Sequence, residues 1–399
     1  MRQFYLILAF FLAFPFYSFS QSISTDQVDV VFNEMEGIRF MTKDSANAIH
    51  LRFRMQNRVD LQTRSANTTG LVGENGFVRR LRLRSAGYLK SKRLTYSLQL
   101  GFAAGDMELG VAQYPLIVRD AVVFYQVSPN FKIGLGQTKL PGNRQRVISS
   151  GEQQFVDRSI VNATFNIDRD FGFHGVYNMK AGPADVRLFG ALSTGDGRNT
   201  TDRGRGMAYT GRAEILPFGK FKMEGDYFEG DWAYEETPKL SIGGTYSYND
   251  NASKVGGQLG RDLYGKSDIT SIMADYILKY RGWASYSEFQ HREAQNPVTT
   301  NVEEQTRFVY TGNGFNTQLS YQFRNHFELA GRYSFITPDK KVDKLADEVL
   351  EYTLGAVYYY RWHRIKFMSD LTLQQREIPD VANSGRDSWI LRFQVELGI

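Results

Sequence analysis

The chain has no cysteine among its 399 residues, which excludes disulfide bonds and thiolate chemistry. After residue 16 it also has no apolar run near the roughly 20 residues of a membrane-spanning helix. Its formal net charge is only +5, too small an excess to indicate a nucleic-acid partner. What the chain does have is 29 Phe, 23 Tyr and 37 Gly, with a mean hydropathy of −0.39. This mixture is typical of β-strands with aromatic girdles, in which alternation keeps the average hydropathy low.

The N-terminus has the pattern of a cleaved secretory signal. A basic start is followed by an apolar run from Phe4 to Phe16, and small residues precede Gln21. A membrane anchor is the alternative, but the run is too short to cross a bilayer as a helix. We therefore predict a signal peptide over residues 1–20 and export of the remaining chain.

Two-residue alternation of apolar and polar side chains begins near residue 49 and persists to residue 399. The candidate strands have about ten residues, the length that a tilted strand needs to cross a bilayer. Residues 21–48 lack this alternation and are predicted to form a periplasmic lead-in. The sequence thus predicts an all-β protein, a transmembrane antiparallel β-barrel over residues 49–399.

The predicted connections alternate between tight turns and long polar loops. The tight turns are at 128–130, 180–183, 280–282 and 361–363, and the long loops are 140–169, 249–268, 292–307 and 376–387. Turns on the periplasmic side and loops on the outside are the layout of an outer-membrane barrel. A soluble β-sandwich has no reason to alternate in this way.

The number of strands follows from a parity argument. Counting gives seventeen candidates, but a closed antiparallel barrel with both termini on one side needs an even number. The weakest candidate is 220–229, which has no clean apolar face. We therefore predict sixteen strands, with residues 217–238 as a long periplasmic connection, and keep eighteen strands as the alternative.

Two neighbouring predicted strands carry arginines on one face: Arg52, Arg54, Arg58, Arg80, Arg82 and Arg84. An arginine that faces lipid costs about 2–4 kcal/mol, so these side chains are predicted to face a water-filled lumen. A guanidinium group stays protonated and presents a planar fork of donors that suits phosphate or carboxylate oxygens. A stripe of such groups would form several shallow sites, which allow an anion both to enter and to leave.

Carboxylates could instead neutralise this stripe. Acids predicted to point inward from the strands are Asp60, Glu214, Asp275, Glu328 and Asp370. Glu152 and Asp157 could approach the stripe from the loop 140–169. From the sequence alone, both an anion-guiding stripe and a locally neutralised one remain open.

Three stretches of the chain resemble the phosphate-selective porin O and P family. They are Gly134–Pro141 (GLGQTKLP), Gln154–Ile160 (QFVDRSI) and Asn166–Gly172 (NIDRDFG). The likeness extends from about Gly37 to the end of the chain. It implies a homotrimer of sixteen-stranded barrels in the outer membrane of a Gram-negative bacterium. It also implies a third loop that folds into each lumen, and passage of small anions such as phosphate without a cofactor.

In this sequence the third loop of the resemblance is 140–169, with Arg144, Arg146, Arg158 and Arg169 as constriction candidates. Arg158 and Arg169 could equally form a salt-bridged latch with the neighbouring acids Asp157, Asp168 and Asp170. Lys132 is a further candidate, because it shares the predicted inward face of its strand.

Three other functions remain as alternatives. The first is a general diffusion porin with little selectivity. The second is a barrel enzyme, for which His291 beside Glu288 or Glu293 would be the candidate pair, although no motif supports it. The third is a surface adhesin. The five histidines have no metal-ligand spacing, so we predict no catalytic residue, metal or cofactor.

Overall fold

A computed structural model describes residues 27–33, 37–109, 114–200, 206–377, 379 and 387–399. The predicted signal peptide, residues 1–20, lies outside these ranges. Within them, no helix is both long enough and apolar enough to span a membrane.

The described residues form twenty strands, sixteen of which close into one antiparallel barrel. The first two are β1 (Val28–Asn33) and β2 (Gly37–Thr42), and a small hairpin outside the barrel comprises β14 (Val298–Thr300) and β15 (Thr306–Phe308). The barrel strands are β3 (Ala48–Thr63), β4 (Leu71–Leu89), β5 (Ser91–Gly101), β6 (Val118–Ser128), β7 (Phe131–Lys139), β8 (Arg169–Ala181), β9 (Ala184–Ser193), β10 (Ala208–Leu216), β11 (Lys239–Lys254), β12 (Asp262–Tyr280), β13 (Trp283–Ala294), β16 (Gly312–Gln322), β17 (Phe327–Pro338), β18 (Glu348–Arg361), β19 (Ile365–Glu377) and β20 (Ser388–Gly398). The last strand closes the barrel against β3. The prediction of a sixteen-stranded barrel is confirmed.

The predicted lead-in contributes the two strands β1 and β2, which the sequence did not reveal. They form a hairpin, and β2 pairs with β3 from Ile38 opposite Leu51 to Met41 opposite Ala48. The pairing of β20 with β3 begins farther along, at Arg54. The hairpin therefore continues the sheet past the end of β20, without adding a strand to the circumference of the barrel.

Short turns gather at one end of the barrel, which also holds the start of β3 and the end of β20, and we call it the turn end. The opposite end, the loop end, differs from prediction at 249–268. There β11 and β12 stay paired, with two irregularities of register, as far as Lys254 and Asp262. An apolar cluster that includes Ala252, Ile269 and Val309 covers this extension, which explains why it stays folded.

Alternation gives the barrel an apolar outer surface and a polar interior. On β18, for example, Tyr352, Leu354 and Tyr360 are exposed on the outside, whereas Thr353 and Tyr359 are buried inside. Aromatic rings gather outside the turn end, where the centroid of Trp283 lies 4.8 Å from that of Tyr321. Such a girdle is typical of the membrane interface of barrels.

The loop between β7 and β8 folds into the barrel and carries two short helices, α1 (Arg144–Val147) and α2 (Ile160–Phe165). The Ser159 hydroxyl caps α2 by accepting a hydrogen bond from the Asn162 amide, 3.2 Å away. Two glycines of the wall make room for aromatic side chains of the loop. A methyl group at Gly355 would lie 2.8 Å from the Phe155 ring, and one at Gly314 would lie 2.9 Å from Phe165. These contacts hold the loop against β16 to β19.

Residues 217–238 join β10 to β11 without a strand, as predicted, but they also rise into the barrel from the turn end. We call them the inner segment. Phe228 stacks on His363 with ring centroids 5.4 Å apart, and the Glu229 amide donates to the carbonyl of Glu152, 3.1 Å away. The inner segment thus meets the inward loop inside the barrel.

Two substitutions in one strand can test whether the outer face of the barrel contacts lipid. Leu354 lies near the middle of β18 and is 71% exposed, whereas Tyr360 lies on the same face near the turn end and is 61% exposed. We expect Leu354→Arg to lower the free energy of unfolding by about 2–4 kcal/mol and Tyr360→Arg by about 0–1 kcal/mol. Urea titration in lipid vesicles, followed by the gel mobility of the folded barrel, measures both. Equal costs would contradict the assignment of this face to lipid.

Candidate functional site

The pairing of β3 with β4 places the predicted arginines side by side. Arg52 lies opposite Arg84, and Arg54 lies opposite Arg82. A β-bulge follows, because Gln56 pairs with Arg80 but Asn57 pairs with Val78. Arg79 is the extra residue, and its Nη2 reaches to 3.3 Å from Asp157. The bulge therefore adds a seventh arginine, which was not among the predicted residues because strict alternation would place it on the lipid face.

One loop carboxylate, that of Asp157, serves three of these arginines. Its oxygens lie 2.6 Å from Arg58 Nη1, 3.3 Å from Arg79 Nη2 and 3.7 Å from Arg80 Nη2. Burial alone would raise the pKa of Asp157, but the charges of Arg79 and Arg80 hold it well below its usual range. Asp157 is therefore ionised and neutralises part of the stripe. Arg58 also bonds Asp60 on its own strand.

A second carboxylate, that of Asp106 in the loop between β5 and β6, pairs with Arg82 and Arg119. Arg82 Nε donates to Asp106 Oδ2 over 2.8 Å, and Arg119 Nη1 donates to Oδ1 over 3.1 Å. Burial opposes ionisation of Asp106, but its bonds and charge contact with Arg82 lower its pKa below the ordinary value. Arg82 also donates to the Ser150 hydroxyl of the inward loop, 2.9 Å away.

The remaining predicted arginines of β3 and β4 are less neutralised. Arg54 donates to the hydroxyls of Ser149 and Ser150, each 3.1 Å away, and its nearest acid is Glu396 at 3.9 Å. The side chain of Arg84 is exposed to a cavity inside the barrel, and it makes no hydrogen bond or ion pair with the residues that the structure describes. Arg52 lies beside it, half-buried.

Arg144 differs from the other predicted constriction residues because its side chain is fully buried. Its Nε donates to Asp275 over 2.6 Å, and its Nη2 lies 3.6 Å from Glu214. It also donates to the carbonyl of Asp226 in the inner segment, 3.1 Å away. Arg144 thus anchors the loop to the wall of the barrel. It does not face the open space inside the barrel, because acids that are distant in sequence enclose its side chain.

The other three predicted constriction residues, Arg146, Arg158 and Arg169, line a cavity inside the barrel. Arg146 pairs with Asp168, and Arg169 donates to both oxygens of Asp120, 3.0 and 3.1 Å away.

Arg158 donates to the backbone carbonyls of Gln145 and Ile148, over 2.7 and 3.0 Å. Burial, together with the nearby charge of Arg146, lowers its pKa to about 9. The predicted latch forms only in part: Arg169 Nη1 pairs with Asp168 Oδ1 at 3.2 Å, whereas Asp170 accepts bonds from Thr194 and Gly195.

These side chains surround a cavity of about 560 Å³ inside the barrel. Eleven of its lining residues are Arg or Lys and four are Asp or Glu. The cations are Arg54, Arg79, Arg80, Arg82, Arg84, Arg119, Lys139, Arg146, Arg158, Arg169 and Arg198, and the acids are Asp106, Glu108, Asp120 and Asp168. We call this space the basic cavity.

Two further cavities lead from the basic cavity toward the turn end. A middle cavity of about 230 Å³ shares Phe124 and Lys139 with it, and a lower cavity of about 550 Å³ shares Phe189 and Tyr227 with the middle one. Lys132 lines the lower cavity, with its Nζ 5.1 Å from the centroid of the Phe124 ring. The three cavities lie one after another along β6 to β9, and each shares lining residues with the next.

Several basic residues that line these cavities were not predicted from the sequence. Arg119 and Arg198 line the basic cavity, and Arg187 lines the lower one. Arg119 stands at the very start of β6 and Arg198 stands in a loop, where alternation gives no signal. Arg187 stands mid-strand at an inward position, and the spacing of β9 could have revealed it.

The geometry gives no support to a catalytic pair at His291. Its Nε2 lies 3.1 Å from Glu293, with both side chains partly exposed on the outer face, whereas Glu288 is buried inside. Among the residues that the structure describes, no group of three or more His, Asp or Glu side chains could hold a metal ion.

A closed barrel of sixteen strands with a loop folded into a charged interior is the architecture of a porin. The profile of the phosphate-selective porin O and P family matches residues 49–253, and the chain belongs to this family. Its place is thus the outer membrane of a Gram-negative bacterium. No curated protein sequence matches the chain.

Solved porins have the same fold at low sequence identity. The anion-selective porin from Comamonas acidovorans is 12% identical, with a TM-score of 0.53 over 88% of this chain and 100% of that one. OmpT of Vibrio cholerae is 10% identical, with a TM-score of 0.54 over 90% and 100%. The outer membrane channel DcaP of Acinetobacter baumannii is 12% identical, with a TM-score of 0.53 over 90% and 99%. OmpT has also been solved in a trimer form.

Asp157 both neutralises arginines and holds the loop, so one substitution should change two properties in opposite directions. We expect Asp157→Asn to lower the free energy of unfolding by about 1–3 kcal/mol, because three arginines lose a charged partner. The same change should shift the zero-current potential toward greater anion selectivity. Thermal unfolding and bilayer recording in a KCl gradient measure the two effects.

Asp343→Asn, an exposed acid at the loop end, is the matched control and should alter neither property. If Asp157→Asn left the selectivity unchanged, Asp157 would not be a determinant of the cavity's charge.

Proposed function

We propose that this protein is a passive, anion-selective channel of the outer membrane, with phosphate as its principal solute. The observation that carries the proposal is the excess of cations in the basic cavity, eleven against four acids. The proposal includes assembly as a homotrimer and passage without a catalytic step or a cofactor.

The chemistry of guanidinium supports selection of anions by this cavity. Its charge persists at any physiological pH, and its donors form a planar fork that matches phosphate oxygens. Ten of the eleven cations are arginines, so an entering anion would meet several equivalent sites and not one deep trap. Several weak sites in series favour conduction over retention.

Phosphate is the preferred solute in this proposal because of family membership, since the matched family is described as phosphate-selective. The geometry on its own supports small anions as a class. The arginine that best fits a direct role is Arg84, because its guanidinium is exposed to the cavity and does not hold a loop.

A second candidate is a general diffusion porin with little selectivity. Asp157 and Asp106 favour it, because they place ionised carboxylates on five of the arginines. If water and neighbouring acids screened the remaining basic side chains, the channel would conduct both cations and anions.

The experiment is bilayer recording in a KCl gradient, followed by titration with phosphate. We expect an anion-signed zero-current potential and a chloride current that falls as phosphate is added. Arg84→Ala should weaken the phosphate block about fivefold, since one charge at about 4 Å in water contributes ~1 kcal/mol. Lys344→Ala removes an exposed lysine at the loop end and should leave the block unchanged.

A large conductance with a zero-current potential near zero would contradict the proposal and favour the general diffusion porin. Anion selectivity without any block by phosphate would retain the channel and remove phosphate as its solute.

A further inference from the structure

The middle cavity differs in chemistry from the two spaces that it connects. Its apolar lining includes Leu140, Val147, Val176, Phe124 and Phe189, and the charged residues at its border are Lys139, Arg212 and Glu214. We call this apolar passage the waist. At about 230 Å³ it is less than half as large as either neighbouring cavity.

The waist is built by the fold and is not a gap between poorly packed loops. Phe124 of β6 lies across Gly134 of β7, where a methyl group would come within 2.5 Å of the Phe124 ring. Phe189 of β9 and His174 of β8 continue the wall, with the rings of Phe124 and His174 centred 6.2 Å apart. Leu140 and Val147 of the inward loop close the opposite side.

Polar groups at the waist are already bonded within the protein. Arg212 donates to Glu214 over 2.9 Å and to Asp275 over 2.7 Å. The Tyr227 hydroxyl donates to Glu214 over 3.1 Å, and His174 Nε2 lies 3.2 Å from the carbonyl of Gly136. The ammonium of Lys139 donates to the carbonyls of Val147 and Ile148, 2.9 and 3.3 Å away. A phosphate ion in the waist would lose hydration with few donors to replace the lost water, which is costly.

An organic anion with an apolar body avoids much of this cost. Its apolar part would leave water for an apolar passage, which is favourable, while its charged group stays near a cation. Lys139 borders the waist on the basic-cavity side, and Lys132 lies beyond Phe124 on the turn-end side. A carboxylate could therefore move from one lysine to the other as the body passes the rings.

We propose that the waist is a binding subsite for the apolar ring of small aromatic carboxylates, and that these are a substrate class of the channel. The proposal rests on the proposed function, because the basic cavity must first attract the anion. It extends that function by assigning a second selectivity step to Phe124 and Phe189.

The test compares benzoate with two probes that each lack one of its parts. Acetate has the carboxylate without the ring, and benzamide has the ring without the charge. In bilayer recordings of the full-length protein, we expect benzoate to block the chloride current at a concentration about three- to tenfold below that of acetate. This factor is what one aromatic contact supplies. Benzamide should give no block in the same range.

Phe124→Ala and Phe189→Ala should each bring the benzoate block close to that of acetate. The block by phosphate depends on the basic cavity, which Phe189 does not line, so it should stay the same in Phe189→Ala and show that the channel is still folded. Phe173→Ala is the matched control, because Phe173 precedes His174 on β8 but is 63% exposed on the outer face. It should leave every block unchanged.

The outcomes separate the two proposals. An anion-selective channel that benzoate and acetate block equally would overturn the waist as a ring subsite and leave the proposed function intact. Block by benzamide as strong as by benzoate would overturn the assignment to anions. A channel without anion selectivity would overturn the proposed function, and with it the substrate class.

Discussion

The arrangement of the barrel interior depends on an excess of arginine side chains over carboxylate side chains. Arginines of β3 and β4 meet Asp157 and Asp106, and these few ion pairs attach two loops to the wall. A charge that is buried without a partner is strongly unfavourable, so the remaining cations require water. The same excess that we propose to favour anions thus requires a hydrated cavity beside the loop. Stability of the loop and openness of the channel follow from one distribution of charge.

The opposite side of the interior shows what happens when the charges match. There Arg144 and Arg212 bond Asp275 at 2.6 and 2.7 Å, with Glu214 close to both. These side chains are almost completely buried, and the inward loop packs over them. Neutral pairing allows the inward loop to pack closely on this half, where Arg212 and Glu214 border the three cavities only at the waist. The inner segment narrows the same space from the turn end.

Local patterns in the sequence predicted the features that alternation controls. The sixteen strands, the inward loop and the absence of a strand at 217–238 all followed from periodicity, parity or family resemblance. Features that depend on distant contacts did not follow. Arg144 is buried by an acid 131 residues away, and no neighbour in sequence indicates this. The bulge at Arg79 was also missed, although Arg79 stands where strict alternation requires an apolar residue that faces lipid.

The central claim is that uncompensated arginines make the basic cavity a site for anions. Crystals of the protein soaked in bromide test it directly through the anomalous scattering of the ion. The account predicts bromide peaks inside the barrel near Arg84 and Arg158, which line that cavity. Bromide bound only on the outer surface, with none in the cavity, would contradict it.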